Sequence, residues 1–389
     1  MQMFFNSRSR PPRGSFHWWV PVGFLLLTGS SGLTRGAAAQ NPYRPPQVYS
    51  QIIKIRDTLL AGDYLKARAR CDALEKAHPD LLAPSLGRLL SWHAQMFEQD
   101  SFNREKEVQA EFDHLLAVAN AIGKQRPFVF EDFLFLGGAY GSMGLHVSLR
   151  DDYFEAFRLG MVGLYYISRG HDLEPGPADD QLAWGIFHYY RGYLAQTLSW
   201  LPFYADDIVQ GLAELRRAQA GIYTGPIAKL ALVFVLGRGY QPERALPDSS
   251  ELHRQFSESP LIAIEHGRAL LHNGRYPEAA AIFQDLRATV PQNLKLLYYL
   301  GWAHAYWAQM EGAANPAEHH QAAEEFLRAF LATQPDAVFS SYAHLLLGDL
   351  DRQAHNYTQA KLHYQLSLEL NPQYDAARQR LNRLKGSGL

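Results

Sequence analysis

Apolar stretches along this chain come in pairs, with a short polar turn inside each pair. Residues 260–293 show it most plainly: PLIAIEHGRALL, the turn HNGR, then YPEAAAIFQDLRATVPQN. Side chains three or four positions apart share one face of a helix, so each stretch predicts a helix with one covered side. Pro291 ends the second helix, having no N–H with which to continue it. Pairing of this kind divides the chain into about eight hairpins, at 48–80, 81–126, 127–176, 177–225, 226–259, 260–293, 294–337 and 338–374. In NREKEVQAEFDHLLAVANAIG the helical spacing runs on for longer, and about ten extra residues (QMEGAANPAE) enlarge the turn between Gly301 and Ala323. Residues 375–385, DAARQRLNRLK, predict a closing helix. Its Arg378, Arg380, Arg383 and Lys385 give the polar outer face of a cap, or alternatively a basic docking site.

The pairs also repeat one another residue by residue. Gly267, Gly274, Tyr276, Ala279, Phe283 and Pro291 recur in order as Gly348, Tyr357, Ala360, Tyr364 and Pro372. Gly62, Tyr64, Ala67, Cys71 and Pro79 make a third copy. Phe133, Leu136, Gly137 and Tyr140 show the pattern's first-helix half, with weaker copies at Leu297, Leu300, Gly301 and His304 and at Trp184, Gly185 and His188. Glycine or alanine lets two helices approach closely, and the bulky residue one turn further on fills the gap to the next helix.

This resembles the tetratricopeptide repeat, a helix–turn–helix unit of 34 residues. The resemblance implies an all-α fold, a tetratricopeptide-like α-solenoid wound as a right-handed superhelix. One hairpin cannot cover its own apolar face, so neighbours must stack. The repeat domain is expected over 48–374, after a linker at 40–47 and before a capping helix and tail at 375–389.

The first forty residues stand apart. Arg8, Arg10 and Arg13 precede the apolar run Trp18 to Leu27, and Ala37, Ala38 and Ala39 follow it. That is the order of an export signal, expected over 1–39. An uncleaved anchor is the alternative, but the run is short of the ~20 residues a span needs and contains Pro21 and Gly23. Cleavage would leave 33 basic against 39 acidic residues, a net charge of −6 that argues against nucleic acid as a partner. Cys71 is the only cysteine, so no intramolecular disulfide can form and the core must supply the stability. Its packing position predicts a buried, inert thiol.

Candidate chemistry is sparse. Asp151-Asp152, Asp179-Asp180 and Asp206-Asp207 could hold a metal or divide acid and base roles. Each pair precedes an apolar helical run, which predicts helix capping instead. No two of the sixteen histidines have zinc-site spacing beside a carboxylate, and His319-His320 would face different ways on a helix. YGSMG at 140–144 has Tyr140 where a nucleophile elbow requires glycine. No phosphate loop or dinucleotide fingerprint is present. Asn356-Tyr357-Thr358 is a formal glycosylation sequon. The expectation is a protein with no catalytic residue, no metal and no cofactor.

One stretch remains. Residues 187–204, FHYYRGYLAQTLSWLPFY, are crowded with rings. Asp180, Gly185, Phe187, Tyr189, Pro202, Asp207, Gly211, Leu212, Leu215 and Ala218 follow a pattern similar to that of the tetratricopeptide-39 group, which includes the yeast inclusion-body clearance protein. The match covers about a tenth of the chain and departs at Ala205-Asp206-Asp207-Ile208, where that family tends to have Gly-Asp-Arg-Glu. It implies shared architecture. Tyrosine and tryptophan suit both packing and partner contact, having a large apolar body and a polar tip. Tyr189, Tyr190, Tyr193, Trp200, Phe203 and Tyr204 are the candidate contact residues.

The functional expectation is an exported scaffold whose concave surface binds a protein or an extended peptide, in the periplasm if the source has two membranes. Two other classes stay open. A small apolar or sugar ligand would need a closed pocket between the third and fifth hairpins, and an enzyme would need clustered, perturbed titratable groups.

Overall fold

The computed structural model describes residues 41–150, 152–197, 207–239 and 241–386. Among the described residues there are seventeen α-helices and no strand. They pair as α1 (Pro46–Leu60) with α2 (Tyr64–Ala77), α3 (Ala83–Gln99) with α4 (Glu105–Gln125), and α5 (Phe130–Ser148) with α6 (Tyr153–Leu173). Next come α7 (Gln181–Thr197) with α8 (Ile208–Ala218), α9 (Gly225–Arg238) with α10 (Leu246–Gln255), and α11 (Pro260–His272) with α12 (Tyr276–Thr289). The last pairs are α13 (Lys295–Trp307) with α14 (Pro316–Ala332), and α15 (Ala337–Gln353) with α16 (Tyr357–Leu370), closed by α17 (Asp375–Gly386). The fold is an α-solenoid of eight helical hairpins and a terminal helix. The export signal expected over 1–39 lies outside the described residues.

The repeated small residues are where the helices touch. A Cβ on Gly267 would sit 2.6 Å from the Phe283 ring, and one on Gly348 would sit 2.6 Å from the Tyr364 ring. Phe283 then stacks on Tyr299 of α13, with ring centres 5.1 Å apart, so one ring joins its own hairpin to the next. Ala67, Ala279, Ala323 and Ala360 are wholly buried. Cys71 is buried under Gly87 of α3, and burial pushes its thiol up to about 12, which leaves it protonated and inert.

Caps and turns follow local chemistry. Asp63, Asp336 and Ser259 accept backbone N–H bonds from Lys66, Phe339 and Ile262, satisfying donors that have no partner inside the helix. The long stretch at 105–125 forms a single helix of 21 residues. The enlarged turn before α14 is made by Gly312 and Asn315, both at positive φ.

Two expectations are corrected. Of the acidic residues read as caps, Asp152 caps α6 through the Glu155 amide. Asp179, Asp180 and Asp207 instead make contacts across the chain, described below, while Asp151 and Asp206 lie outside the described residues. Second, Arg380 does not belong to a solvated face: its Nε donates to the buried Asp349 at 2.9 Å, and the Tyr364 hydroxyl donates to the same carboxylate. A buried carboxylate needs such partners, and α17 supplies one.

The first hairpins also meet the later ones at long range in the sequence. Asn293 Nδ2 donates to the Glu98 carbonyl at 2.8 Å, and Lys295 Nζ pairs with Asp100 at 2.9 Å. Phe97 of α3 meets Phe234 of α9 edge-on at 6.3 Å. Leu60 packs in one cluster with Leu252, Phe256 and Ile262. At Gly62, φ is +84° and a Cβ would lie 2.9 Å from Pro260 Cδ, so that turn needs glycine on both counts. Arg56 Nη1 donates to the Ile222 carbonyl at 2.7 Å. The chain's own α1 and α3 therefore cover part of the surface of α9, α11 and the start of α13.

Candidate functional site

Helix α6 buries one face and leaves another apolar face bare. Leu159, Gly163, Leu164, Ile167 and Gly170 face inward. The approach to α5 is close: a Cβ on Gly163 would stand 2.9 Å from the Gly137 carbonyl oxygen. On the opposite side, Phe154 is 76% exposed, Phe157 41%, Met161 46% and Tyr165 61%. These four positions advance by three, four and four residues, which lines them up along one side of the helix. Single exposed apolar residues are ordinary on a protein surface; a continuous row of them marks an interaction surface. The charges within the row are engaged with each other, since Arg158 Nε donates to Glu155 Oε2 at 2.7 Å.

The aromatic helix α7 lies beside this face. Phe187 approaches Phe157 with ring centres 6.4 Å apart, and the Arg191 guanidinium lies over Phe187 at 5.3 Å. Arg191 also pairs with Asp207, tying α7 to the start of α8. Trp184 stacks on His188 at 5.7 Å, and His188 Nδ1 contacts Glu214 Oε2 at 2.6 Å in a largely buried pair. At the head of the helix, Asp180 meets His171 of α6 at 2.6 Å. Buried Asp179 accepts the backbone amides of Ile222, Tyr223 and Thr224 and the Thr224 hydroxyl. One carboxylate thus holds the whole α8–α9 turn, which is why it cannot also cap its own helix.

The candidate contact residues divide. Tyr189 is interior: it is 5% exposed, and its hydroxyl donates to the Val235 carbonyl at 2.9 Å. Burial raises its phenol further above the usual range, so it stays protonated. Tyr190 packs, partly buried, against the same cluster of Leu212, Leu215, Leu232 and Val235. Tyr193 is 46% exposed and reaches the surface near the end of the described part of α7. Trp200, Phe203 and Tyr204 lie outside the described residues.

The α6 row escaped the sequence reading. The apolar run after Asp152 predicts only a packed helix behind a cap; the unused signal is that α6 carries apolar residues on two sides, more than one covered face uses.

Between α4 and α5 runs an open cleft of about 260 Å3, lined by Glu105, Val108, Met143, His146 and Arg150. Arg150 is paired with Glu105 at 3.0 Å. Among the described residues no group of three or more His, Cys, Asp and Glu is placed to hold a metal ion, and no helix is long and apolar enough to cross a membrane.

No family model and no curated protein matches the chain. Several solved structures align with the chain over most of its length. The APC/C hetero-tetramer Cut9–Hcn1 is similar at 16% identity and a TM-score of 0.49; the alignment covers 86% of this chain and 55% of that one. The human IFIT1 dimer with PPP-AAAA is similar at 15% identity and a TM-score of 0.41, covering 82% and 71%. The P58(IPK) TPR domain is similar at 13% identity and a TM-score of 0.26, covering 87% and 97%.

Proposed function

We propose that the chain is an exported scaffold that binds another protein, with the outer face of α6 and the adjoining surface of α7 as its docking site. The single observation behind this is the row Phe154, Phe157, Met161 and Tyr165, left bare on a helix whose other side is fully packed. Large rings and methionine are the side chains on which binding energy concentrates in protein interfaces. The surface of α9, α11 and α13 met by α1 and α3 is already covered by the chain itself, whereas the α6 row is not. An acidic mature chain favours a protein partner over nucleic acid.

Photo-crosslinking residues at positions 154 and 161 test this in the intact cell envelope, with positions 65 and 209 as solitary exposed apolar controls. Covalent adducts with one protein at 154 and 161, and none at the controls, are expected. The triple change Phe154→Ser, Met161→Ser and Tyr165→Ser should abolish the adduct while each surface change costs less than about 0.5 kcal/mol of stability. Equal labelling at all four positions would remove the α6 site. Export itself is tested by fractionation: a product shortened at Ala39 and recovered outside the inner membrane is the expected result.

A further inference from the structure

The segment ahead of α1 is tied down beside α6. Asn41 Nδ2 donates to Glu131 Oε2 at 2.8 Å, and Arg44 Nη2 pairs with Glu174, just past the end of α6, at 2.5 Å. Between them Tyr43 is wholly buried; its hydroxyl donates to Asp132 at 2.8 Å and accepts the Leu82 amide at 2.9 Å. Whatever precedes Asn41 therefore leaves the fold near the C-terminal end of α6.

What precedes it is the leader expected over 1–39, with its apolar run Trp18 to Leu27 joined to Asn41 by residues 28–40. A link of that length reaches at most about 45 Å. From Glu174 back along α6 to Phe154 is about 30 Å, so the whole bare row is within reach. The lengths also agree. Phe154 to Tyr165 covers about 17 Å of helix, and a run as long as 18–27 covers about 15 Å when helical and about 33 Å when extended.

We propose that, until the leader is cut away, its apolar run lies on the α6 row of the same chain and holds that docking site closed. The proposal rests on the reading of α6 as the docking face and adds what governs it. Attachment favours this occupant over a second copy or a free protein, because a tethered segment meets the row at an effective concentration of the order of mM.

The chemistry matches. Phe154, Phe157, Met161 and Tyr165 would meet Trp18, Trp19, Phe24 and Leu27, and the charges inside the row are spent on each other, since Arg158 is bonded to Glu155. The polarity matches too. A leader that starts from the end of α6 and runs back along it puts Leu27 toward Tyr165 and Trp18 toward Phe154. Arg8, Arg10 and Arg13 then fall beyond the start of α6, which Asp151 and Asp152 precede in the sequence. Arg150, the cation next to them, is already paired with Glu105 at 3.0 Å. Basic head and acidic helix start attract. Cleavage after Ala39 leaves the bonds of Asn41 and Tyr43 in place, so release opens the row without loosening the fold.

The full chain, made without export so that residues 1–39 are retained, tests this with a photo-crosslinker at position 161. The expected adduct joins position 161 to residues 16–27 of the same chain, at a yield that does not change on dilution. Trp18→Ser, Trp19→Ser and Phe24→Ser lie outside the repeat domain, so the fold does not depend on them. Together they should lower that yield about fivefold or more. A crosslinker at position 209 should give no leader adduct. Absence of the adduct at 161 would overturn the proposal. Adducts between two chains that fade on dilution would also overturn it, and would assign the row to a second copy. In both cases an adduct with a partner protein in the envelope would leave docking at α6 standing. A leader adduct in the full chain with no partner adduct in the envelope would instead remove the docking reading, and with it the claim that the leader governs a docking site.

Discussion

Gly267 and Gly141 occupy similar places in their helices and have opposite surroundings. An added methyl at Gly267 meets the Phe283 ring at 2.6 Å, whereas at Gly141 nothing lies within 4 Å. Gly267→Ala should therefore destabilise the chain by about 1–3 kcal/mol through overpacking. Gly141→Ala should stabilise it by about 0.5–1 kcal/mol, because alanine loses less freedom in a helix. Urea unfolding of the two variants side by side checks the pair. Asp179 belongs at this scale too. Asp179→Ala leaves three amides and a hydroxyl without their acceptor, and a loss of about 2–4 kcal/mol is expected, with Asp179→Asn milder. The small-residue contacts were legible in the sequence because Gly, Ala and a ring recur at fixed offsets. The role of Asp179 was not, since its partners lie 43 to 45 residues away and nothing local marks them.

At the scale of the helix, pairing was legible and facing was not. Turn residues, prolines and small residues delimit each hairpin, so the segments holding two helices could be read directly. Which side of a helix remains uncovered depends on neighbours that sequence spacing does not name. The rings of α7 suit packing and partner contact alike, and Tyr189 takes the first role: it points into the core and is hydrogen-bonded there. Helix α6 looked like packing and carries the bare row. Serine substitution at Phe154 or Tyr165 should therefore cost little stability, while Tyr189→Phe should cost about 1–2 kcal/mol by leaving the Val235 carbonyl without its donor. Thermal melts of the three single variants separate the two faces.

For the whole molecule, the contact between the end of α3 and the start of α13 joins segments far apart in the sequence. It spans 195 residues of sequence, so no periodicity could announce it. Replacing Asn293 and Lys295 together by alanine removes the buried hydrogen bond to Glu98, the Asn293 Oδ1 acceptor of the residue-295 amide, the partly screened ion pair with Asp100 and the ammonium over the Phe339 ring. A modest loss of about 1–2 kcal/mol is expected. Amide hydrogen exchange near residues 97–100 should accelerate more than exchange in α5, which neither side chain touches.

That same contact sets an order on assembly. Hairpins form from neighbouring residues and can complete themselves as soon as both helices exist. The first hairpins, by contrast, complete their distant contacts only after Lys295 has been delivered, and gathering such a long intervening segment is slow. A chain threaded from its N-terminus through a narrow channel would therefore emerge as a growing open spiral. Its last act would be to bring its two arms together.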